Sequence, residues 1–281
     1  MSGTPIIDFH THAFPDALAP RAVAQLTVNA AASGYTPLTD GTVAGLIASM
    51  DKAGIDRSVV CNIATNPHQM VKVNDFAISC LSNPRLIPLG SLHPHAPVSE
   101  LESELHRLRE AGLTGLKIHP DYMGIEIHDP VFDPIFSLCE SNNLFVVTHA
   151  GFDPVSPNHI HCPPDGVLQV MARHPKLKLV VAHTGGFDCE REVLDKLCKA
   201  NVYLDTSLAA VRNAKSPDWG ALCAEILRRH DPSRLLFATD TPWSDPLAEI
   251  AFLRGIGLSE EVTEMILHGN AERLIASCAK S

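Results

Sequence analysis

The sequence predicts an α/β fold of the (β/α)8 TIM-barrel class, and three observations predict it. Short runs rich in β-branched residues alternate with longer segments of helical period. Eight such pairs can be counted along 281 residues, a length that suits one barrel. Histidine or aspartate closes most of the strands, where barrels of this class carry their function.

The first strand, PIIDFHTH (5–12), begins apolar and breaks at Pro15. Side chains alternate across a strand, so Asp8, His10 and His12 are expected on one face and Ile7, Phe9 and Thr11 on the other. A helix over Val43–Ala53, stopped by Gly54, leads to RSVVCNIA (57–64). Val71–Ser82, ending before Pro84, leads to LIPLGSL (86–92). Val98–Ala111, stopped by Gly112, leads to TGLKIHP (114–120). Helices over Val131–Asn142 and Val167–Arg173 bracket LFVVTHAG (144–151), and LKLVVAHTGG (177–186) follows. Helices over Glu190–Lys199, Trp219–His230 and Leu247–Arg254 then separate and follow VYLDTS (202–207) and RLLFATD (234–240). A doubly wound open sheet would place a glycine-rich phosphate loop after an early strand, where this chain has HTHAFP instead. One barrel domain over residues 1–281 is the expectation.

Net charge is −10 and the basic residues are scattered, which argues against nucleic acid or an anionic membrane as partner. A small-molecule substrate is expected, and homo-oligomerisation is left open. The eight cysteines form no CxxC pair and no signal peptide precedes them, so free thiols in a reducing cytoplasm are expected. No apolar run is long enough to span a bilayer.

The residues closing the eight strands are His12, Ala64, Leu92, His119, His149, His183, Asp205 and Asp240. His10 and His12 from the first strand, His149 from the fifth, His183 from the sixth and Asp240 from the eighth can converge above the barrel. Imidazole nitrogens with a carboxylate oxygen suit Zn2+, with Mn2+, Fe2+ or Co2+ as competitors. A lone histidine is usually a hydrogen-bonded core or surface residue, and His106, His174 and His230 read that way.

DFHTH, THAG, AHTGG, FATDTPW and the closing HGNAERLI resemble the amidohydrolase superfamily from about Ile6 to Leu274. Within it they look most like the amidohydrolase-2 group of TIM-barrel hydrolases and decarboxylases, related to aminocarboxymuconate semialdehyde decarboxylase. The resemblance implies that His10, His12, His149 and Asp240 hold one catalytic divalent ion, with His183 assisting beside it or binding a second. It further implies that Asp240 orients a metal-activated water, whose pKa the ion lowers toward about 7, and then passes its proton to the leaving group. Lys117 stands where a carbamylated lysine bridges two metals in dinuclear relatives such as dihydroorotase, although the amidohydrolase-2 group usually works with one.

His119, nearer the end of the fourth strand than Lys117, is a candidate substrate contact. His161 and His159 lie on a Pro-rich loop at the functional face, His93 and His95 on a connection, and Trp243 just after Asp240. His161 and Trp243 are candidates for lining the substrate pocket. The expectation is a metal-dependent hydrolase of a small amide, ester or lactone, with non-oxidative decarboxylation of an aromatic or unsaturated acid as the alternative. A zinc-binding barrel without catalysis is disfavoured by the presence of both Asp240 and His183. The KIHP of the fourth strand departs from the decarboxylase pattern, and pocket arginines would discriminate further, with Arg57, Arg212 and Arg234 the nearest candidates.

Overall fold

A computed structural model describes residues 4–31 and 34–279. Eight parallel strands follow one another in space: β1 (Ile7–Thr11), β2 (Arg57–Cys61), β3 (Leu86–Leu89), β4 (Gly115–Ile118), β5 (Phe145–Thr148), β6 (Lys178–Val181), β7 (Tyr203–Asp205) and β8 (Leu235–Leu236). Ladders run β1-β2-β3 and β4 through β8. The two seams close through parallel bridges Gly90↔Leu116 and Thr11↔Thr241. Backbone bonds tighten them: Lys117 N donates to Gly90 O (2.8 Å), and Phe9 N to Phe237 O (2.8 Å). The molecule is a closed (β/α)8 TIM barrel.

The helix Val43–Ala53 has the expected bounds, with Thr42 capping its start and Gly54 in the left-handed conformation at its end. Val98–Ala111 likewise has the expected bounds, and the remaining expected helices form with shifts of a few residues, such as Met70–Cys80, Pro164–Arg173, Pro217–Arg229 and Pro246–Gly255. A helix Ala19–Ala30, outside the expected set, lies between β1 and the next helix. Its Pro20 sits in the first turn, where a missing N–H costs nothing. β8 is shorter than RLLFATD, because beyond Leu236 the chain bonds sideways to β1: Asp240 N donates to His10 O (2.8 Å).

Apolar residues form two buried clusters, one of strand and helix side chains and one that includes Phe9, Val59, Leu89, Phe145, Val147, Val180 and Leu236 from six of the strands. The latter fills the barrel. Ala271, Leu274 and Cys278 of the last helix, Asn270–Cys278, join it. That helix closes the end where strands begin, since Glu272 pairs with Arg57 (3.1 Å), Ser277 with Lys178 (2.8 Å) and Asn270 with Leu235 O (2.6 Å). The opposite end is left open for function.

One expectation is corrected in β1. Against β2 the register runs Ile7↔Arg57 and Asp8↔Ser58, then Thr11↔Val60, so β1 holds one extra residue. Phe9 therefore packs inside on Phe145 (5.4 Å between centroids), together with Ile7. Asp8 does not share the face of His10 and His12. It accepts from Thr239 Oγ1 (2.6 Å) and Thr239 N (3.0 Å) on the neighbouring strand.

Candidate metal centre

The bulge in β1 presents His10 to the open end of the barrel, and His12 follows it. His10 Nδ1 lies 2.8 Å from Asp205 Oδ2 at the end of β7. His12 Nδ1 lies 3.0 Å from Cys61 O at the end of β2. Each contact has an acceptor on the far side, so both Nδ1 atoms carry the proton and both Nε2 atoms turn a lone pair toward the cavity. Asp240 Oδ1 stands 3.1 Å from His12 Nε2 and 3.6 Å from His10 Nε2. A tetrahedral ion with bonds of about 2.1 Å separates its ligands by roughly 3.4 Å. Two nitrogens and one oxygen at these spacings fit a divalent ion, and other ligand positions stay open to substrate or water.

Electrostatics agree with that donor set. Burial, then the neighbouring Lys117, holds His10 well below the ordinary imidazole range, so it is a neutral ligand. Burial raises the Asp240 carboxyl, against the lowering influence of the neighbouring His12. Lys117 Nζ is fully buried 3.0 Å from His10 Nε2.

His149 and His183 form a second pair. His183 Nε2 lies 3.0 Å from His149 Nδ1, and His183 Nδ1 lies 2.8 Å from Ser207 Oγ. Burial and then His119 push His149 down to about 3; burial, His149 and His10 lower His183 well below its usual range. His149 groups with His119 and Asp153 rather than with His10, His12 and Asp240. The four residues implied as ligands are thus brought to one cavity in two groups.

Two of these residues occupy left-handed backbone, His183 at φ 59° and Asp240 at φ 67°. Such conformations cost free energy in non-glycine residues and persist where surrounding bonds enforce them. Here His183 N donates to Asp205 Oδ1 (2.9 Å) and Trp243 N to Asp240 O (2.8 Å). Gly151, at φ 82°, lets the turn after β5 touch the turn after β6, since a Cβ there would meet Phe187 O at 2.1 Å.

Above the floor opens a cavity of about 740 Å³. His119 and Trp243 line it, as expected, and the helix Ala19–Ala30 covers one side through Leu18, Leu26 and Asn29. His161 stands behind the wall, bonded to Asp121 Oδ1 (3.0 Å), and His159 pairs with Glu126 at the surface. His93 and His95 pack on one another away from the cavity. Arg212 is buried between the rings of Phe187 and Trp219 and engaged by Asp188 and Glu190 (both 2.6 Å). Arg57 pairs with Glu272 and Arg234 with Asp231 (3.6 Å). Among the described residues no arginine lines the cavity, whose cationic side chains are Lys72 and Lys117.

Asp205 went without a role in the sequence, although its place at a strand end was the available signal. It binds His10 through one oxygen and receives His183 N, Ser207 N and Ser207 Oγ on the other. Asp121 lies in the one-turn helix Pro120–Met123 after β4 and Asp153 in the loop after β5, where no periodicity marks them.

All eight cysteines are buried and free, and no helix of the described residues is long and apolar enough to cross a membrane. No curated protein matches the chain. Among solved structures it is similar to an uncharacterised TIM-barrel protein from Bordetella bronchiseptica, at 19% identity and TM-score 0.73, covering 98% of this chain and 99% of that one. It is similar to the 5-carboxyvanillate decarboxylase of Sphingomonas paucimobilis, at 19% identity and TM-score 0.69 with 98% and 99% covered. A third is the 5-carboxyvanillate decarboxylase of Novosphingobium aromaticivorans in complex with manganese and 4-hydroxy-3-methoxy-5-nitrobenzoic acid, at 18% identity and TM-score 0.68 with 98% and 97% covered. Residues 7–276 match the Amidohydro_2 family, described as amidohydrolase, and the chain belongs to that family.

Proposed function

We propose that the chain is a divalent-metal-dependent decarboxylase of a small aromatic or unsaturated carboxylic acid. The observation that carries this reading is the shape and chemistry of the cavity. Its walls are largely apolar and aromatic, with Phe14, Phe76, Phe152, Phe187 and Trp243, and its floor is His10, His12, Asp240 and Lys117. A flat apolar body with its acid group on the floor fits that division. The solved decarboxylases named above, whose substrate is an aromatic acid, support it.

His10, His12 and Asp240 would hold the ion, with His149 and His183 beside them. When bound, the ion would neutralise the substrate's carboxylate and an adjacent oxygen. Lys117 adds a second positive group at the same place. The bond from ring carbon to carboxylate breaks, its electron pair stays on the carbon, and carbon dioxide leaves. A proton from solvent reaches that carbon through Asp240, the carboxylate on the floor. His183, fixed by Ser207, orients the substrate from the β6 side. The choice among Zn2+, Mn2+, Fe2+ and Co2+ is left to metal analysis, and the buried free thiols fit a reducing, cytoplasmic setting.

Hydrolysis is the second reading, and Lys117 favours it. Its Nζ, 3.0 Å from His10 Nε2, stands where a carbamylated lysine would bridge two ions around a nucleophilic water. The test is a panel of aromatic acids, and of matched esters, amides and lactones, incubated with metal-replete protein in 18O-water. Carbon dioxide release with no label in the product supports decarboxylation. Label appearing in a product carboxylate, with no carbon dioxide, assigns hydrolysis instead.

A further inference from the structure

A cavity of about 740 Å³ has the size that receives drug-sized ligands, so a single ring with its carboxylate leaves much of it open. One wall of that space is the start of the helix Met70–Cys80. Gln69, Lys72, Val73 and Phe76 all line the cavity, and they follow one another at i, i+3, i+4 and i+7, one face of a helix. A helix that follows a barrel strand begins at the open, functional end and descends from it. The face changes character on the way down: Gln69 and Lys72 are exposed at the rim, whereas Val73 and Phe76 are half-buried beneath them.

Charge decides what fills the remainder. The reacting acid group is answered on the floor by the ion and Lys117. Among the described residues two carboxylates line the cavity, and both are engaged: Asp240 stands 3.1 Å from His12 Nε2, and Asp153 accepts from Val155 N (2.7 Å) and faces His119 Nε2 (3.4 Å). Lys72 forms no ion pair among the described residues. Gln69 Oε1 accepts from Thr65 N (3.3 Å) and Thr65 Oγ1 (2.9 Å), which leaves the Nε2 amide as its donating end. No acidic residue stands in the first turn of the helix, whose amide end favours negative charge.

We infer that this rim is an anion subsite, where Lys72 pairs with, and Gln69 donates to, a second carboxylate of the substrate. The preferred substrate is then an elongated diacid, with one carboxylate at the floor, an apolar body along Val73 and Phe76, and the other carboxylate at Lys72. The inference rests on the floor being the place of the reacting acid group. Lys72 sets specificity from the far end of the substrate and takes no part in bond breaking. Its ammonium is open to water, so the subsite is worth about tenfold in affinity.

Isothermal titration calorimetry of the metal-replete protein tests this, with terephthalate, naphthalene-2,6-dicarboxylate and biphenyl-4,4′-dicarboxylate each beside its monoacid, and carbon dioxide release followed in the same samples. At least one diacid is expected to bind the wild type about tenfold more tightly than its monoacid. Lys72→Gln should bring that diacid to the affinity of its monoacid, and Lys72→Arg should keep the preference. Lys72 is exposed, so both variants are expected to fold, which melting temperature checks. The wild-type preference should also shrink as salt is raised, a readout that needs no variant. A wild type that binds no diacid better than its monoacid overturns the subsite, and so does a preference that survives Lys72→Gln or high salt intact. A diacid that binds through Lys72 and releases no carbon dioxide upholds the subsite and counts against decarboxylation alone.

Discussion

His10 Nδ1 and Asp205 Oδ2 meet at 2.8 Å with both side chains buried, so β7 sets the tautomer of an imidazole that β1 presents to the cavity. Asp205→Asn removes the fixed acceptor and frees His10 to place its proton on Nε2, where the lone pair is needed. Loss of such an outer partner weakens metal binding by about 10–100-fold. A chelator competition titration measures it, with melting temperature reporting the separate loss of the bonds to Ser207 and His183 N. Unchanged metal affinity would contradict the assigned tautomer.

The extra residue in β1 makes a stability prediction. Phe9 is fully buried inside the barrel against Phe145, so Phe9→Ala should cost about 3–5 kcal/mol in unfolding free energy. Urea unfolding of the variant checks this. A cost below about 1 kcal/mol would contradict the tight packing of Phe9 against Phe145.

The legibility of the chain divides along physical lines. Eight strands and their helices were legible because burial on one face leaves a period in the sequence, and His10, His12 and Asp240 because they close strands. The bulge in β1 was not, since it is set by partners far away: Thr11 Oγ1 donates to Val59 O (2.8 Å), and Asp240 N bonds His10 O. Asp121 and Asp153 acquire meaning only when the segments after β4 and β5 meet. The preference for hydrolysis rested on residue types alone, whereas the cavity's apolar walls come from several distant segments.

His183 should matter more to turnover than to metal retention. It bonds Ser207 and His149 and lies in strained backbone, but outside the group of His10, His12 and Asp240. His183→Asn is expected to lower kcat by about 10²-fold or more while the metal content stays near that of the wild type. Loss of metal as complete as in His12→Ala would make His183 a primary ligand.

Glu249 predicts a pH dependence of stability. Its buried carboxyl is pushed up to about 8 by desolvation, against the bonds from Ser244 Oγ (2.6 Å) and Ala210 N (2.9 Å). The folded state therefore binds a proton that the unfolded chain, with its ordinary value of 4.5, releases earlier. This contribution is fully present below about 4.5 and is lost as pH rises through about 8, at roughly 1.4 kcal/mol per pH unit between them. Glu249→Gln should flatten that slope in urea unfolding series. A variant with the same slope as the wild type would show that Glu249 titrates normally.

The floor ion is the centre of the account, and metal content of the His10→Ala/His12→Ala protein tests it most directly. Folded double variant, dialysed beside the wild type against the same Zn2+ or Mn2+, should bind one ion per chain fewer and have no activity. A folded double variant that keeps the full wild-type metal content would contradict the assignment of the ion to His10, His12 and Asp240.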